Sequence, residues 1–154
     1  MTSKFFPAAL LPLMMFATSC KDVKDPEFRR VDNFGVKNVS FQDATIGFEV
    51  TYYNPNNFGV NVKEAEANVY LDSVFIGKFS QEKLVDVKEE AEFSIPFAGK
   101  IPLAKALEFN FKDLSNREVL LKAEGTAKVG KAGVYITKPI KYEGKHRLDE
   151  IHLK

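Results

Sequence analysis

The side chains able to do chemistry are few here, and their neighbours decide what each is for. Cys20 is the only cysteine, and His146 and His152 are the only histidines. A lone thiol is a reactive group, a buried apolar one or a site of modification. The two histidines have no Cys or carboxylate at ligand spacing, so exposed positions on a polar C-terminal tail are expected in place of a metal site. Glu89 and Glu90 stand without His or Cys and read as a solvated turn. Asn54-Pro55-Asn56-Asn57 offers amides that could replace water around sugars or headgroups. The same residues are strong turn formers, because Asn bonds nearby backbone and Pro fixes φ, so a mainly structural motif is expected. GxGxxG, GxxxxGK[ST] and G-x-S-x-G are all missing, and no local context supports a Ser–His–Asp arrangement. The expectation is a non-enzyme with no metal and no cofactor.

Composition narrows the class. Lys and Arg number 22 against 21 Asp and Glu, which gives no reason to expect a nucleic-acid partner. Fourteen Phe and many β-branched residues are too apolar for a disordered chain. At 154 residues a single domain is expected, able to bury about two-thirds of its unfolded surface.

The N-terminus reads as an address. Lys4 supplies a positive start, and Phe5 to Phe16 is an apolar run too short to span a bilayer. Ala17-Thr18-Ser19 then precede Cys20, an order that resembles a bacterial lipobox with Ala17 where Leu is usual. The resemblance implies cleavage before Cys20 and lipid attachment to its sulfur. Residues 1–19 are then a lipoprotein signal peptide, and the partner of the anchor is a membrane. Residues 20–27 are polar, contain Pro26 and read as a tether of roughly 25 Å at ~3.5 Å per residue. Lys21, in place of an Asp that retains lipoproteins at the inner membrane, implies an outer-membrane destination by resemblance to those rules.

The elements that must carry these residues are strands. In Ala44 to Tyr53, Ile46, Phe48, Val50 and Tyr52 share one face, and Gly47, Glu49, Thr51 and Tyr53 the other. Asn54-Pro55 must end that strand. Phe28 to Phe41 is strand-like but interrupted near Asn33-Phe34-Gly35, with Arg29 and Arg30 a solvated pair. Phe58, Val60 and Val62 share a face, yet Ala65, Ala67, Val69 and Leu71 have the opposite parity. That slip predicts a bulge or break within Val62 to Ala65, with Val60 and Val69 both buried. Asp72-Ser73 reads as a tight turn. Leu84, Val85 and Val87 form the apolar centre of an edge strand or hairpin arm, and Pro96 argues for an edge position. Leu103 to Leu114 is the one helix candidate, with Leu103, Leu107, Phe111 and Leu114 packed on the strands. Glu118 to Val129 alternates, Gly130 to Gly133 is a hairpin loop, and Val134, Ile136, Ile140 and Tyr142 build the last strand.

Tyr53-Asn54-Pro55-Asn56 after an apolar strand, followed by Phe58, resembles the late embryogenesis abundant type 2 family, whose core is the WHy (water stress and hypersensitive response) domain. Tyr70 to Gly77, Ile101-Pro102-Leu103 and Pro139 to Gly144 resemble further motifs of that family in the same order, so the resemblance covers roughly residues 28–148. It implies a fibronectin-like sandwich and a non-catalytic role in protection or binding under stress.

The expected fold is therefore all-β with one short helix, an antiparallel β-sandwich of fibronectin type III or immunoglobulin type with about seven strands. Residues 28–148 form this domain and 149–154 the C-terminal tail. The expected function is a monomeric, lipid-anchored cell-envelope protein that protects or binds during desiccation. The alternative is an adaptor lipoprotein that docks an envelope protein through a strand edge.

Overall fold

Alternation of apolar and polar residues makes nearly every described segment a strand. The computed structural model describes residues 22–108 and 117–147. In chain order its elements are β1 (Glu27–Val39), β2 (Asp43–Tyr53), β3 (Val60–Leu71), β4 (Val74–Gln81), β5 (Val85–Val87), β6 (Glu92–Pro102), α1 (Leu103–Glu108), β7 (Glu118–Lys131) and β8 (Val134–Arg147).

The strands join in the order β1-β2-β6-β4-β3-β7-β8, with β5 paired to β3. This corrects the expectation of two separate sheets. One antiparallel sheet runs unbroken from β1 to β8 through a short ladder of Phe79–Gln81 on Phe97–Gly99. The sheet curls, and its inner face holds a core that includes Ile46, Val62, Phe79, Val87 and Phe97. Alternation specifies which face of a strand is buried but not which strand lies beside it, so the β4–β6 link left no trace in the pattern. At one corner the curl brings the terminal strands together. Phe28 of β1 lies 5.3 Å from Tyr142 and 6.1 Å from His146, both on β8, between ring centroids.

The expected slip in β3 is a bulge. Val62 pairs with Val129 and Glu64 with Lys128, so Lys63 is the extra residue. Val62 and Ala65 are consequently both buried, at 3% exposure each. β3 itself continues through the bulge, and Val60 and Val69 pack on the core while only partly buried. Asp72 and Ser73 have φ of 47° and 68°, the paired positive values of the hairpin turn that suits the twist of strands. Ala132 and Gly133, at 52° and 83°, form a second such turn, shorter than the expected Gly130 to Gly133 loop. β1 is irregular as expected, with Asn33 at φ 54° and three register shifts against β2.

Four other expectations need correction. Pro96 is on β6, an interior strand, where it is tolerated because the β4 ladder stops at Phe97. Leu84 is 53% exposed and lies outside β5, whereas Val85 and Val87 are buried. In α1 Leu107 is 77% exposed, and Ala106 packs on the core instead; residues 109–114 of the candidate, with Phe111 and Leu114, lie outside the described residues. Val134 and Ile136 are also exposed, at 74% and 57%, because β8 is a terminal strand of the sheet.

Candidate functional site

The corner after β2 is built around two buried amide side chains, Asn54 and Asn56. Asn54 is 4% exposed. Its Nδ2 donates to the carbonyls of Phe58 and Lys88, each at 2.9 Å. Its Oδ1 accepts from the backbone N–H of Asn56 at 3.1 Å and from the Asn56 Nδ2 at 2.9 Å. Its own backbone N–H donates to Ala91 O at 2.9 Å. One side chain thus ties the β2–β3 turn to the β5–β6 turn. The Asn54 side chain has two N–H donors and an acceptor oxygen with two lone pairs, and all are engaged.

Asn56, 9% exposed, continues the network toward the N-terminus. Its Nδ2 also donates to Lys24 O at 2.8 Å, and its Oδ1 accepts from Lys24 N–H at 2.9 Å. The amide therefore pairs with the Lys24 backbone as a strand neighbour would. Glu90 N–H donates to Asn56 O at 3.0 Å. Glu90 has φ of 47°, so Glu89 and Glu90 form the expected turn. Asn57 is exposed beside this network.

Arg29 and Arg30 are ion-paired on the flank of this corner. Arg29 reaches Glu27 at 3.0 Å and sits over the Tyr53 ring, 5.0 Å from its centroid. Arg30 contacts Asp32 at 2.8 Å and Glu92 at 3.2 Å, and the bond to Glu92 chiefly raises the pKa of its guanidinium. Thr51, on the side of β2 away from the core, is nonetheless only 1% exposed; its hydroxyl lies 2.8 Å from that of Ser94.

The remaining candidates separate. Cys20 and His152 lie outside the described residues. His146 is not on a tail: it is half-buried in β8, bonded to the Tyr142 hydroxyl and set against Phe28. Burial raises the pKa of both Tyr142 and Tyr52. Among the described residues no group of three or more His, Cys, Asp or Glu is arranged to hold a metal. Among them also, no helix is long and apolar enough to cross a membrane.

Three features had no reading in the sequence. Lys37 crosses the outer face of Gly47 to pair with Glu82, a path a Cβ at Gly47 would obstruct at 2.2 Å from Lys37 Cε. Gln81 and Asp72 bridge neighbouring strands with their side chains. Each joins residues far apart in the chain, so no local spacing could mark them.

Comparison with protein-family models finds no match, and comparison with curated proteins finds none. Solved structures do resemble this one. A protein from Archaeoglobus fulgidus superposes with a TM-score of 0.50 at 11% identity, over 79% of this chain and 97% of that one. An Arabidopsis thaliana protein superposes at 0.49 with 15% identity, over 84% of this chain and 83% of that one. A protein described as late embryogenesis abundant (LEA) gives 0.36 at 15% identity, over 86% and 76%. At 11% identity the likeness to the Archaeoglobus fulgidus protein is one of fold alone.

Proposed function

We propose that this chain is a lipid-anchored protein of the bacterial cell envelope, attached through Cys20, whose β-domain protects or binds envelope components under water stress without catalysis. The domain is of the late embryogenesis abundant type 2 kind. It acts as a monomer, with the outer membrane as its destination. Its partner is the membrane, through the lipid, with no nucleic acid and no cofactor.

The supporting observation is the coincidence of two features at one corner. The residues that carry the family resemblance, Asn54, Pro55 and Asn56, form the turn after β2, and the chain emerging from Cys20 meets that turn at Lys24. The segment at Lys24 that follows the proposed anchor and the motif thus belong to one structural unit. Acylation with two or three chains, at ~0.8 kcal/mol per buried methylene, would hold such a unit on a bilayer without a spanning helix.

The test combines fractionation with drying. Wild type should partition with membranes and carry lipid on Cys20, and Cys20→Ala should be released. Deletion should lower survival of drying. A mature N-terminus elsewhere, without lipid, contradicts the anchor; survival equal to wild type contradicts the protective role.

A second reading is favoured by Val36, Val39 and Phe41, which are 60%, 59% and 104% exposed along the end of terminal strand β1 and the turn after it. Such a surface suits an adaptor that docks an envelope protein. A stoichiometric partner captured from crosslinked envelopes, and lost on Phe41→Ser, would support it over protection.

A further inference from the structure

The polar segment after Cys20 is not a free tether along its whole length. Lys24 gives both its backbone N–H and its carbonyl to Asn56, at 2.9 and 2.8 Å, across a separation of 32 residues. Asn56 in turn is held by Asn54, whose other amide bonds fasten two turns of the domain. We propose that the Asn54-Pro55-Asn56 turn is a clamp on the N-terminal segment, which holds this corner of the domain against the lipid surface and turns the Ser40–Gln42 end of β2 away from it. The inference rests on acylation of Cys20.

Geometry carries the argument. With Lys24 fixed, the four residues back to Cys20 reach at most ~14 Å, compared with roughly 25 Å for a free segment ending at Glu27. The turn at Ser40–Gln42 lies at the other end of β2, whose 11 residues span about 36 Å. A leash shorter than half the strand cannot let the two ends exchange freely. Charge is not the cause, because Lys24, Arg29 and Lys88 near the corner are matched by Asp25, Glu89 and Glu90. The occupant of this corner is therefore the bilayer that holds the acyl chains, and Phe41 is presented to the opposite side.

The experiment uses the mature lipidated chain in vesicles of phosphatidylethanolamine and phosphatidylglycerol. A dye is placed at Asn57→Cys or at Phe41→Cys, and the quencher on the lipid headgroup. Quenching should be stronger at 57 than at 41, and a Gly-Ser-Gly-Ser insertion after Lys21, which leaves the corner untouched, should weaken it. The Lys24 amide should exchange about tenfold or more slower than an open amide, and Asn56→Ala should abolish that protection. Equal quenching at both positions, an insertion without effect, or an unprotected Lys24 overturns the inference. Intact mass separates the causes. A chain without lipid overturns both the anchor and this orientation, whereas a lipidated chain with an unprotected Lys24 overturns the clamp alone.

Discussion

The Gln81 side chain donates from Nε2 to the carbonyl of Val62 at 2.8 Å, at the place where β3 leaves β5 and has not yet met β4. The same Nε2 donates to Lys83 O, which turns the chain out of β4. β3 pairs with β5 only through Val62 and with β4 only from Glu66, and Lys63 is bulged on the β7 side. An amide therefore supplies the donor that a missing strand residue would have given. A carboxylate cannot do so. Gln81→Glu should place a carboxylate against two carbonyl oxygens and destabilise by about 1–3 kcal/mol. Thermal unfolding near neutral pH checks this, and an unchanged melting temperature contradicts it.

Asp72 links the β3–β4 turn to β7. Its carboxylate accepts from Leu120 N–H at 2.9 Å and meets Arg117 at 2.7 Å. The bond from Leu120, then the Arg117 partner, lowers its pKa below the usual carboxylate range. The folded state thus binds this proton less readily than the unfolded chain. The associated stability is present above an ordinary Asp pKa of about 3.9 and is lost as pH falls through the lower folded value. Asp72→Asn keeps an acceptor for Leu120 and suits the positive φ. Its melting temperature near neutral pH should fall below wild type by the lost contribution of the charge, and that gap should close between about pH 5 and pH 2. An identical acid profile contradicts the role.

Two glycines should differ widely in what a methyl group costs them. At Gly125 a Cβ would stand 1.9 Å from Glu66 O and 2.6 Å from Ala67 Cα, both backbone atoms of β3. At Gly47 the obstacle is the flexible stem of Lys37. Gly125→Ala should cost about 3 kcal/mol or more by forcing β3 and β7 apart, and Gly47→Ala less than about 1 kcal/mol as Lys37 swings away. Denaturant titration of both variants checks the order.

Much of this was legible because it was local. The faces of Ala44 to Tyr53, the slip beside Lys63 and the Asp72-Ser73 turn follow from residues within a few positions of one another. What sequence reading missed is the product of the curl. Pro96 reads as an edge residue until β4 is seen to stop beside it. His146 reads as tail until Phe28, at the far end of the strand order, packs on it. The Asn54 motif was legible as a turn, but its grip on Lys24 was not, since nothing near Lys24 announces a partner 32 residues on.

The central claim is that the amides of Asn54 and Asn56 belong to the fold and not to a ligand. Asn54→Ala removes four side-chain hydrogen bonds and leaves their buried partners open. A loss of about 2–4 kcal/mol is expected, which for a domain of this size lowers the melting temperature by roughly 5–15 °C. The direct measurement is that melting temperature alongside protection of dried lipid vesicles by the same preparation, assayed where the variant is still folded. The account predicts a clear drop in melting temperature with protection retained by the folded fraction. A variant that melts like wild type yet no longer protects would contradict it and make this corner a binding site.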